Sequence, residues 1–153
     1  MNVIVSSDEL SPLQRSERQS LIVEKLSQAL PDHALLWNLE DTTPYECDGL
    51  SAYRERPLVV ALPENDQQVQ AVLRICHTLN VPVVARGAGT GLSGGAMPHR
   101  SGVTLSLAKF NRVLNINKKS RSAVVQCGVR NLAISEAVSS LGLYYAPDPS
   151  SQI

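Results

Sequence analysis

Five of the nine glycines fall within eleven residues, Ala85-Arg86-Gly87-Ala88-Gly89-Thr90-Gly91-Leu92-Ser93-Gly94-Gly95. Glycine loses more backbone entropy on folding than any other residue. Such a density marks backbone that must turn left-handed or lie very close to something. The stretch follows Val81-Pro82-Val83-Val84, a short apolar run that reads as a buried strand. Consecutive amides with no side chains in the way form a concave anion site, and Arg86 at its mouth adds a charge that pairs with phosphate. The sequence therefore predicts a diphosphate-holding loop at the carboxyl end of a strand, where α/β sheets gather their ligands. A merely flexible surface loop is the competing reading.

The rest of the chain is compatible with an anionic ligand. Its 153 residues suit one domain, and its net charge is zero. The charge is unevenly spread. Residues 1–66 hold twelve of the fourteen acids, whereas residues 67–135 hold none and carry nine Lys and Arg. No apolar run nears the roughly 20 residues of a membrane span, and no basic stretch precedes an apolar core at the start, so a cytoplasmic protein without a secretory leader is expected. Cys47, Cys76 and Cys127 are too scattered for a disulfide framework or a metal site. They read as small core or half-buried residues.

Taken in order, Ser11-Pro12-Leu13-Gln14 opens a helix with a capping box and a first-turn proline. Ile22, Leu26, Ala29 and Leu30 fall on one face of it. Residues 34–36 read as a short strand and 40–57 as an irregular connector. Residues 58–62 form a buried strand, Pro63-Glu64-Asn65-Asp66 a turn and helix start, and Val69, Val72, Leu73, Cys76 and Leu79 one apolar stripe. With residues 81–84 this makes a βαβ unit, its strands parallel and its crossover right-handed. Residues 102–107 read as a third strand. Residues 113–116 and 123–127 form a hairpin whose tip carries solvated Lys118, Lys119 and Arg121. A helix over 131–141 ends at Gly142. His33, His77 and His99 are isolated, His77 structural and His99 in a surface turn. Tyr144 and Tyr145 read as packing residues.

Two common phosphate loops fail on detail. A P-loop lacks its lysine, because Gly94-Gly95-Ala96 stands where Gly-Lys-Ser/Thr is needed. Gly89, Gly91 and Gly94 fit Gly-x-Gly-x-x-Gly formally. However, Ala96-Met97-Pro98-His99-Arg100 is a poor helix, and no acid follows at the ribose-binding distance.

The stretch from Pro82 to Gly95, with Pro63, Glu64 and Val69 before it, resembles the pyrophosphate loop of vanillyl-alcohol-oxidase, or p-cresol-methylhydroxylase (PCMH), type flavoproteins. Pro44-Tyr45-Glu46-Cys47-Asp48-Gly49-Leu50-Ser51-Ala52-Tyr53-Arg54 and Tyr144-Tyr145-Ala146-Pro147-Asp148-Pro149-Ser150-Ser151-Gln152 are similar to the glycolate-oxidase branch of that family. The likeness covers nearly the whole chain and is weakest over the first 40 residues. It implies an α+β, PCMH-type FAD-binding domain, with a small parallel βαβ lobe and the start of a mainly antiparallel second lobe. The divisions would be an N-terminal helical extension over 1–40, the first lobe with the loop over 41–112, and an incomplete second lobe over 113–153.

The resemblance also implies a ligand. FAD would be held by Pro82, Arg86, Gly87, Ala88, Gly89, Thr90, Gly91, Leu92, Gly94 and Gly95, and by Pro147, Asp148, Ser150 and Ser151 in a second flavin-contacting stretch. Some relatives attach FAD to a histidine where Thr90 stands, so FAD here would be non-covalent. The implied reaction takes glycolate to glyoxylate with hydride passing to FAD. Implied partners are a small 2-hydroxy acid and sister flavin-like and iron–sulfur subunits, with at most peripheral membrane association at the inner face. No metal and no catalytic residue is assigned. Groups acting on substrate would lie beyond this chain, which reads as a fragment. The alternatives are a D-lactate or D-2-hydroxyglutarate dehydrogenase of the same family, or a non-catalytic nucleotide or nucleic-acid module. The 4% aromatic content speaks against nucleic acid, whose bases need exposed rings to stack on.

Overall fold

Ser11 and Gln14 close the predicted capping box. Gln14 N donates to Ser11 Oγ (3.3 Å), and Ser11 N donates to Gln14 Oε1 (2.9 Å). The helix they start, α1 (Pro12–Leu26), buries Ile22 and Leu26. The structure is a computed structural model and describes residues 10–147.

A four-stranded sheet receives α1. Its strands are β1 (Leu35–Leu36), β2 (Val59–Ala61), β3 (Val83–Arg86) and β4 (Val103–Ser106), in the order β1-β2-β4-β3. β1 runs antiparallel to β2, while β4 is parallel to both β2 and β3. The expected βαβ unit is present, joined by α3 (Asp66–Thr78), but β2 and β3 are not neighbours. β4 inserts between them. Gly102 makes room for it: a Cβ there would lie 2.5 Å from the Pro82 carbonyl oxygen, which instead accepts from Val103 N at 2.9 Å. Adjacent parallel strands need a long crossover, usually a helix. Between β3 and β4 the crossover is the glycine stretch, and no helix forms over residues 87–102.

Val59, Ala61, Val103 and Leu105 of the sheet meet Ile22 and Leu26 of α1 and Val72 and Cys76 of α3 in one buried cluster. α3 is capped by Asn65, whose Oδ1 accepts from Gln68 N (3.0 Å). The α3 stripe differs at one position. Ile75 packs on the core, and Leu73 on the opposite flank is 45% exposed. The connector is more ordered than expected: α2 (Leu39–Thr42) and a 3-10 turn (Thr43–Tyr45) occupy it, with Thr42 Oγ1 donating to Asn38 O (2.8 Å). Elements this short show no periodicity in sequence.

β5 (Val113–Asn117) and β6 (Ser122–Val125) form the expected antiparallel hairpin, with an irregularity between Val113 and Asn115. Its tip is solvated, and Arg121 turns left-handed at φ 51°. α4 (Asn131–Ser139) buries Ile134 and Val138, and Gly142 follows at φ 70°. Two readings are corrected here. Cys127 is exposed in the turn that follows β6, and Tyr144 is 78% exposed rather than packed. Among the described residues no helix is long and apolar enough to cross a membrane.

Burial pushes the Cys76 thiol up to about 11. The unfolded thiol ionises near 8.5. Between these values the unfolded chain holds fewer protons, so stability falls as pH rises through that window. The urea midpoint is expected to drop between about pH 8.5 and 11, and this drop should shrink in Cys76→Ala. An identical pH profile in both proteins would count against it.

Candidate diphosphate-binding loop

β3 ends at Arg86, and the chain then leaves the sheet as the glycine loop. Gly89 (φ 73°) and Gly94 (φ 74°) take left-handed backbone that a side chain would strain. At Gly87, Gly91 and Gly95 an added Cβ would meet nothing within 4 Å, so the space above them is open. Among the described residues, the amides of residues 87–95 donate to no protein acceptor. Backbone N–H groups are strong donors that demand partners. A row of them beneath open space fits an anion with several oxygens, such as a diphosphate. No helix follows to lend its dipole, so the amides themselves must hold the charge.

Arg86 does not simply stand at the mouth. Its Nη1 donates to Cys47 O (2.7 Å), and its guanidinium lies 5.5 Å from the centre of the Tyr45 ring. A Cβ on Gly89 would enter that guanidinium, so Arg86 is folded beneath the loop. The segment it reaches is the one following α2. Asp48 of that segment is 5% exposed. Its Oδ1 accepts from Leu50 N (2.9 Å) and its Oδ2 from Ala96 N (3.4 Å). A Cβ on Gly49 would lie 2.7 Å from Thr90 O and 2.8 Å from Gly91 O. Residues 45–50 thus lie under the whole loop. The acid-free window of the sequence is therefore not acid-free in space.

The expected ligand residues separate into groups. Arg86, Gly87, Ala88, Gly89, Thr90, Gly91, Leu92, Gly94 and Gly95 share the loop, and Leu92 is exposed over it. Pro82 is at the opposite end of β3, about 13 Å away at the usual rise per strand residue, where its carbonyl serves Val103 and it does not reach the loop. Pro147 is exposed. Asp148, Ser150 and Ser151 lie outside the described residues. His99 sits in a surface turn, its Nδ1 accepting from Ser101 N (3.2 Å). Tyr45, Cys47, Asp48 and Gly49 were not expected at the site. Their sole sequence signal was the resemblance of 44–54, which carries no chemistry of its own.

A cleft of about 400 Å³ lies elsewhere, between the β5–β6 hairpin and α4, lined by Ile116, Ile134, Val138, Tyr144 and Tyr145 among others. Its lining is mainly apolar side chains.

A family described as "FAD binding domain" matches residues 57–153. The chain is 58% identical, over 90% of its length, to glycolate oxidase subunit GlcD of Escherichia coli strain K12, covering 27% of that protein. It is 37% identical over 80% of its length to a D-2-hydroxyglutarate dehydrogenase of Xanthomonas citri, covering 26% of it. The solved structure of p-cresol methylhydroxylase with substrate bound superposes with a TM-score of 0.71 at 23% identity, over 83% of this chain and 25% of that one. The fold is therefore the expected α+β, PCMH-type architecture. The chain spans about a quarter of the length of the curated relatives it matches.

Proposed function

The chain belongs to the FAD-binding-domain family, and from that premise we propose that it is the flavin-holding part of an FAD-dependent enzyme that oxidises 2-hydroxy acids, with glycolate as substrate. The observation that carries the cofactor assignment is the row of amides over residues 87–95, which donate to no acceptor among the described residues. What favours glycolate is the 58% identity to a glycolate oxidase subunit, against 37% to a D-2-hydroxyglutarate dehydrogenase. D-2-hydroxyglutarate and D-lactate remain the second reading.

In this reading the loop amides hold the diphosphate, and Gly87, Gly91 and Gly95 allow it to approach the backbone. Bound FAD supplies the hydride-accepting chemistry. Thr90 has no nucleophile for a flavin bond of the histidine kind, so the cofactor is held non-covalently. No side chain of this chain is assigned to proton transfer. The relative's name marks it as a subunit; sister flavin-like and iron–sulfur subunits would receive the electrons, at the cytoplasmic side of a membrane. The lobes at 41–112 and 113–153 would flank the cofactor.

Titration with FAD, ADP and a single-stranded oligonucleotide tests the assignment. FAD and ADP are expected to bind this chain weakly, and no glycolate to be consumed. Oligonucleotide binding that weakens steeply with salt, without uptake of FAD or ADP, would overturn it.

A further inference from the structure

Asp48 presents a physical puzzle. A buried carboxylate is costly unless it is paired, yet among the described residues no Lys, Arg or His forms an ion pair with it. It also sits below a loop that fits an anion, where its charge opposes binding. Its two oxygens are nevertheless both used. Oδ1 turns its own segment by accepting from Leu50 N, and Oδ2 reaches the far end of the loop at Ala96 N. The near end is tied to the same segment by Arg86 Nη1 on Cys47 O. The middle rests on Gly49, which lies so close to Thr90 O and Gly91 O that no side chain fits between them. One short segment therefore touches the loop at its start, middle and end.

We propose that Asp48 is a positioning residue for the cofactor: it fastens the far end of the glycine loop to residues 45–50, so that the amides of 87–95 stand open before ligand arrives. The proposal rests on reading the loop as the diphosphate site. It makes the repulsive charge the counterpart of a pre-formed shape. A loop that holds its binding shape only a fraction of the time binds more weakly by that fraction.

Asp48→Asn tests it in this chain. The substitution keeps the side-chain shape and the acceptor for Leu50 N, but turns an amide group toward Ala96 N and removes the charge. If Asp48 positions the loop, FAD binds about tenfold more weakly, the loss expected when the loop is competent about a tenth of the time. If Asp48 acts only through charge, the variant binds FAD more tightly, and the proposal fails. Equal affinity overturns it too. The ligand-free ¹H–¹⁵N spectrum gives a readout independent of FAD. The amide resonances of Gly89, Gly91 and Gly94 should move while those of α3 stay. Unmoved loop glycines, or shifts spread equally through α3, overturn the proposal. Should the unsubstituted chain bind no FAD, the diphosphate reading of the loop falls instead, and the spectrum alone decides the role of Asp48.

Discussion

Gly89→Ala is expected to weaken FAD binding about a hundredfold or more. Two effects combine. The backbone at Gly89 stands at φ 73°, a conformation that costs an L-residue about 1–2 kcal/mol. The added methyl also enters the Arg86 guanidinium, with Nε only 2.7 Å from it. Arg86 must then withdraw from Cys47 O and from the Tyr45 ring. Losing a hydrogen bond from a charged group costs about 1.5–3 kcal/mol. Together these make about 2.5–5 kcal/mol, and each 1.4 kcal/mol is about a factor of ten in affinity. The loop lies outside the buried cluster, so the chain can relieve the strain by abandoning the loop's shape without unfolding. The cost then reappears as affinity, because each binding event must restore that shape. Calorimetric titration with FAD, at a temperature where circular dichroism shows the variant folded, measures it. Binding within threefold of the unsubstituted chain would refute the argument.

What was legible in the sequence follows from what is local. The capping box at Ser11, the α3 cap region, the hairpin and the stop at Gly142 each depend on residues a few positions apart, and each forms as expected. The glycine loop was legible for the same reason, since left-handed turns and close approach require glycine at the position itself. Facts set by distant partners were hidden. That β4 enters between β2 and β3 depends on Gly102 meeting the Pro82 carbonyl. The residues under the loop come from 45–50, with Asp48 lying 48 positions before the amide it holds. The acid-free run misled for this reason too: a charge absent from a stretch of chain can be brought to it by another stretch. Pro82 was placed at the loop by the resemblance, whereas the extended strand sets it at the end of β3 away from Arg86, with its carbonyl on Val103 N.

Leu26→Ala is expected to destabilise the fold by about 3–4 kcal/mol, within the range measured for fully buried leucines. Leu26 is 0% exposed and belongs to the cluster shared by α1, α3 and the sheet. α1 is further tied at two places by polar bonds. Arg18 Nη2 donates to Asn80 O (2.7 Å), closing the C-terminal end of α3, and Gln19 Nε2 donates to Leu58 O (2.7 Å) at the start of β2. Those bonds limit how far α1 can move into the space a leucine leaves, which holds the cost toward the cavity end of the range. Against a total stability of about 5–15 kcal/mol, the loss is large. The melting temperature of a domain this size should fall by about 10 °C. If residues 1–40 formed a dispensable extension, the change would instead stay within about 0.5 kcal/mol, as for a surface site. Urea unfolding distinguishes the two outcomes. FAD affinity supplies a second, opposite reading. The loop is held by residues 45–50 and not by α1, so well below its melting temperature Leu26→Ala should bind FAD as the unsubstituted chain does. Gly89→Ala should do the reverse, losing the ligand while keeping the fold. A Leu26→Ala protein that stays folded yet loses FAD would mean that the sheet, and not the segment beneath the loop, sets the loop's shape.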